Sequence, residues 1–173
     1  MNQARRWLVW LSRIHRCRGF GIQSPTDYAF VRYVVNERWP YYAYDRLKAA
    51  GWLQQKMGRL YLRMANWRQP TVMQADQWQQ WWQAGCLRTR FTDSMPERVE
   101  IARIDITDTE LWEQLTGRTD EHSVVIIERL WLSWDTWHQI ERDSRVGTTF
   151  DLYYCGIVLF DKQRYSHHYK INF

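Results

Sequence analysis

The chain has 173 residues, of which 45% are hydrophobic and 25% charged, values that exclude a disordered or low-complexity protein and suffice for one buried core. Its formal charge of +5 is polarised: residues 1–64 carry 12 Lys and Arg against 3 Asp and Glu, whereas residues 65–173 carry 12 against 16, so the basic half is a candidate surface for an anionic partner or a solvated helical layer. Cys17, Cys86 and Cys155 stand far apart with no CxxC pair, which argues against a disulfide framework or structural zinc and for a reducing compartment, and no apolar run approaches the roughly 20 residues that span a bilayer.

Residues 1–69 read as helices. Trp7, Trp10, Leu11 and Ile14 recur at i, i+3, i+4 and i+7 among Arg5, Arg6, Arg13 and Arg16, the pattern of an amphipathic helix whose apolar stripe packs inward. The apolar run from Trp7 to Leu11 is too short for a secretory signal and is followed at once by Arg13, Arg16 and Arg18, so a cytoplasmic protein is expected. Gly19 and Gly21 end this helix. Ser24, Pro25 and Asp27 start the next, because a hydroxyl caps, proline suits the first helical position and an acid suits the positive helix end. After a Pro-broken link at "ERWPYYAYDRL", residues 43–66 form a third helical region, with Gly51 as a kink.

Beyond Pro70 strands alternate with helices: strand "TVMQA", helix "DQWQQWWQAG", strand "CLRTRF", strand "RVEIARIDI", helix "TDTELWEQLTG", strand "SVVIIERL" and helix "SWDTWHQIERDSR". The most hydrophobic strand, "SVVIIERL", belongs at the sheet centre, covered on both faces. "TTFDLYYCGIVLF" and "HHYKINF", with no long helix between them, are expected to pair antiparallel at one edge. The reading is a single α/β domain, with a helical layer over 1–69 and a core over 70–173. Most of the surface of its twelve Trp residues should be core, though several exposed together would mark a binding surface.

Three segments resemble one family. "GFGIQSPTDYAFVRYVV" (19–35) looks like the "HGIHSPF" signature of a group of bacterial class I AdoMet-dependent methyltransferases, with Ile22, Ser24 and Pro25 matching and Phe20 and Gln23 where histidines are usual. "SVVIIERLWLS" is similar to the family's central strand, which ends in two acids and a histidine, and the tail 137–173 is similar to its closing helix and antiparallel strands. The resemblance implies a shortened, mainly parallel Rossmann-like sheet with an antiparallel edge. It also implies a catalytic group at Glu128 and Arg129, which stand in the places of the two acids, and at Asp105, which matches a strand-end acid. Cofactor-side positions fall on Gln74, Asp76 and Asp93.

The middle of the chain departs from the family. A nucleoside cofactor needs a glycine turn after the first strand, since only residues without Cβ let the backbone approach it, but Gln74 and Asp76 stand in that loop, followed by Trp78, Trp81 and Trp82. The only GxG, Gly19-Phe20-Gly21, precedes a helix and reads as a turn. Residues 76–98 are too few for the two further βα units expected there. Arg129 reverses the charge of an acid position, Trp131 replaces the histidine, and Glu128 and Arg129 can pair with each other at the strand end. Asp105, Thr107 or Asp108 can instead cap the next helix.

No metal-ligand spacing, nucleophile triad or P-loop is present; His167 and His168, adjacent in a strand, point to opposite faces. The sequence therefore predicts a methyltransferase-like chain without AdoMet or catalysis, binding an unidentified protein partner or its own copy. Two alternatives stand beside it. One is an active AdoMet-dependent enzyme with a pocket lined by the central Trp residues; the other is nucleic-acid binding through Arg5, Arg6, Arg13, Arg16 and Arg18, where phosphate contacts and aromatic stacking could combine. Docking of the Trp7 to Ile14 face on a partner or membrane surface is a further use of the first helix.

Overall fold

The computed structural model describes residues 3–161 and 166–173; residues 1–2 and 162–165, the latter within the tail that carries the family resemblance, lie outside the described residues. Helix α1 (Gln3–Ser12) and a 3-10 turn (Ile14–Arg16) end where Arg18, Gly19 and Gly21 take φ of 55°, 83° and 87°, a conformation that glycine adopts without penalty. No residue of α1 is buried. The stripe expected to pack inward faces outward, with Trp7 64%, Leu11 52% and Ile14 44% exposed.

The polar side of α1 decides its rotation. Asp151 is a buried acid, and the Arg13 guanidinium meets it at 2.8 Å while also donating to the carbonyls of Asp151 and Ile171. Arg6 lies 3.6 Å over the ring of Trp52, and Asn172 donates to the Trp10 carbonyl at 3.1 Å. Leaving Asp151 buried without a counter-charge costs several kcal/mol, and meeting that demand turns the basic side inward.

Helix α2 (Pro25–Phe30) opens as its residues dictate: proline fills the first turn and the Ser24 hydroxyl accepts the Asp27 N–H at 3.3 Å. A π-helical turn (Val31–Val35) continues it to Asn36. The single helical region expected over 43–66 is two helices, α3 (Ala43–Arg46) and α4 (Trp52–Arg68), and Gly51 is the extended N-cap of α4. The break is held by Gln55, whose side chain accepts the Ala49 N–H at 2.8 Å and donates to the Leu47 carbonyl at 3.2 Å. These bonds replace the helical partners that the link has given up.

The rest is β1 (Val72–Gln74), α5 (Gln79–Gly85), β2 (Arg90–Thr92), β3 (Ile101–Asp105), α6 (Thr109–Thr116), β4 (Val124–Glu128), α7 (Trp134–Glu141), β5 (Thr148–Asp151), β6 (Cys155–Leu159) and β7 (His167–Lys170). Among the described residues the strands make two sheets, a parallel β1–β2 pair and a five-stranded sheet ordered β3-β4-β6-β5-β7. In the larger one β3–β4 and β5–β7 are parallel, while β4–β6 and β5–β6 are antiparallel.

The architecture is therefore mixed α/β, and the C-terminal edge differs from expectation. "TTFDLYYCGIVLF" folds on itself as the β5–β6 hairpin, reversed at Tyr153 with φ 70°. Because β6 already runs against β5, the next reversal brings β7 alongside β5 in parallel rather than antiparallel. Strand β4 is interior as expected, with Val124 to Ile127 all buried.

Strand alternation splits the core in two. Ile101, Val124, Ile126, Phe150 and Ile157 pack with the apolar faces of α2, α4 and α5. Ile104, Val125, Ile127 and Val158 pack on Trp112 and Leu115 of α6 and on Trp137 and Ile140 of α7. Trp82 and Trp137 are wholly buried, one in each half, and truncating a ring of that size costs about 3–5 kcal/mol.

Candidate functional site

Arg103 organises the region where the ends of β1 and β4 approach β3. It stands on β3 opposite Ile126, so strand alternation puts it on the face that also carries Glu128. Its Nη1 donates to Glu128 Oε2 at 2.8 Å and its Nε to Asp76 Oδ2 at 2.9 Å. Glu128 Oε1 accepts the hydroxyl of Tyr61 from α4. Asp76 also accepts the Trp78 N–H at 2.8 Å and the Trp82 indole N–H at 3.2 Å. One cation is thus held between two acids, and each acid is further bonded by a neutral donor.

Burial opposes charge on Arg103, yet Glu128 and Asp76 hold its pKa above that of a free guanidinium. Burial and the Glu128 charge push the Tyr61 hydroxyl well above its ordinary value, so it serves as a hydrogen-bond donor and not as an acid. In this arrangement the Arg103 cation is matched by the Asp76 and Glu128 carboxylates.

Glu128 and Arg129 do not pair with each other as anticipated. Consecutive residues diverge at a strand end, and Arg129, in the left-handed conformation with φ 59°, turns to Asp105 at the end of β3. Burial raises the Asp105 carboxyl, but the bonds from Arg129 and Thr107 outweigh it and the net shift is downward. Asp105 also accepts the Thr107 N–H at 3.0 Å and its hydroxyl at 2.6 Å, and so braces the turn into α6. The helix cap itself is Asp108, which accepts the Leu111 N–H at 3.0 Å.

The structure thus brings Asp76 and Glu128 together through Arg103 and pairs Arg129 with Asp105. Gln74 and Asp93 are both exposed, and the Gln74 amide donates to the Asp93 carbonyl at 3.3 Å. Sequence reasoning missed Arg103 and Tyr61. The signal for the first was a lone cation inside "VEIARIDI", set between Ile101 and Asp105 on its face; the second lies within the helical region over 43–66, where nothing local marks it out.

A hollow of about 190 Å³ remains between β1, β3 and α6, bordered by Gln74, Asp76, Pro96, Ala102, Arg103 and Leu111. Pockets that enclose drug-sized ligands run from about 300 to 1,000 Å³. None of Trp78, Trp81 and Trp82 borders it. Trp82 stacks on Tyr61 at 4.6 Å, Trp78 meets Tyr61 edge-on at 5.1 Å, and Trp81 is buried against α4. The stretch after β1 does not offer the glycine turn that a nucleoside cofactor needs. The chain contains no glycine between Gly58 and Gly85, and after β1 the Ala75 N–H is bonded to the Thr92 carbonyl at 2.8 Å and the Trp78 N–H to the Asp76 side chain at 2.8 Å. Among the described residues, no group of three or more His, Cys, Asp or Glu side chains is placed to hold a metal ion.

Compared with family models, curated proteins and solved structures, the chain finds no match in any of the three.

Proposed function

We propose that the chain is a methyltransferase-like domain that has lost AdoMet binding and catalysis and works as a binding or scaffold protein. The observation that carries this reading is the Arg103 bridge: Asp76, in the place of the cofactor-loop glycine, is tied at 2.9 Å to a guanidinium that is itself tied to Glu128. A ligand entering between β1 and β4 would have to break both ion pairs and expose two acids. The tail, α7 followed by the antiparallel β5–β6 pair, supports the resemblance itself. In this reading Glu128, Arg129 and Asp105 hold strand ends together, and Gln74, Asp76 and Asp93 line a closed edge.

Isothermal titration of the full chain with AdoMet and with S-adenosylhomocysteine tests it. No heat of binding is expected for either. A micromolar Kd for one of them overturns the reading in favour of an active enzyme with a remodelled pocket.

A further inference from the structure

We infer that α1 docks flat on an anionic phospholipid bilayer, with Trp7, Leu8, Leu11 and Ile14 entering the headgroup boundary and the neighbouring basic residues meeting lipid charge. An ordinary surface helix turns its apolar side to the core. Here the order is inverted. Arg6 and Arg13 face the body of the protein, on Trp52 and Asp151, while Trp7 is 64%, Leu8 67%, Leu11 52% and Ile14 44% exposed. The polar anchors hold the helix in this rotation, so the apolar face is presented before any partner arrives.

Charge complementarity selects the occupant. No acidic residue precedes Asp27, and exposed His15, Arg16 and Arg18 follow directly on the apolar face. Helices with aromatic and leucine residues on one side and arginines beside them bind anionic interfaces, with area and charge acting together. A second copy would bring two basic surfaces into apposition, which repels. Nucleic acid has no use for Leu8, Leu11 and Ile14, which neither stack nor contact phosphate, and Arg6 and Arg13 are spent inside the protein.

The experiment is flotation of the full chain with vesicles of phosphatidylcholine alone and of phosphatidylcholine containing phosphatidylglycerol. It compares the parent with Leu8→Glu/Leu11→Glu and with Arg16→Gln/Arg18→Gln, all at exposed positions, each checked for native circular dichroism. Binding to the anionic vesicles only is expected, weakened by salt and reduced about tenfold or more in either variant. Four results overturn the inference: no flotation with anionic vesicles; equal binding to neutral ones; a dimer without vesicle binding that Leu8→Glu/Leu11→Glu dissolves; or salt-sensitive capture of RNA in place of lipid.

Discussion

Arg103 and Glu128 face each other across the β3–β4 pair, Nη1 to Oε2 at 2.8 Å, with their side chains 18% and 16% exposed. Removing the cation leaves two largely buried acids, Asp76 and Glu128, without a counter-charge. Breaking a fully buried pair costs about 3–5 kcal/mol, and partial solvent access lowers this to about 2–4 kcal/mol. Arg103→Met, which keeps the aliphatic stem, is expected to lose that much in urea unfolding. Tyr61→Phe, which deletes one donor to Glu128 and keeps the ring against Trp82, should lose about 1–2 kcal/mol. Because the two substitutions share Glu128, their sum should miss the double variant by about 0.5–3 kcal/mol. Strict additivity would show that the network does not act as a unit.

The parts of this site written in local chemistry were legible in the sequence. Ser24 caps α2, Asp108, one of three residues the sequence offered, caps α6, and the unbroken apolar run of "SVVII" places β4 inside the sheet. What could not be read was which charge meets which. Glu128 and Arg129 are adjacent in the chain, yet the register of β3 on β4 gives one to Arg103 and the other to Asp105. The same holds for α1: its apolar stripe is plain in the sequence, but its rotation follows from Asp151, more than a hundred residues away in the chain. Periodicity reports a face, and only the fold decides what the face meets.

Close packing of α4 on α5 gives a second prediction. A Cβ at Gly58 would lie 2.5 Å from the ring of Trp81, a rigid neighbour that is only 6% exposed. In an exposed helix interior Gly→Ala stabilises by about 1 kcal/mol, but overpacking against a fixed ring costs about 1–3 kcal/mol or more. Gly58→Ala should therefore lower the Tm. In a Trp81→Leu background, where the ring is gone, the same substitution should become neutral or stabilising. A penalty that persists there would rule out the ring contact as its cause.

Lys56 makes the stability depend on alkaline pH. Its ammonium lies against the Phe173 ring at 4.1 Å. Burial, reinforced by the charges of Arg63, Arg6 and Arg59, pushes its pKa down to about 8 from an ordinary 10.5. Between those two values the unfolded chain holds a proton that the folded protein has released, so stability rises with pH across that window. At pH 7 the penalty is present in full. Lys56→Met, which keeps the stem and sets a thioether against the aromatic ring, should therefore be more stable than the parent at pH 7, by about 1–2 kcal/mol once partial solvent access is counted. That advantage should shrink steadily above pH 8 and largely vanish by about pH 10. Thermal melts of both proteins across this range decide the point: a constant gap, or a less stable variant at pH 7, would mean that the ammonium carries no burial penalty and that its contact with the Phe173 ring outweighs desolvation.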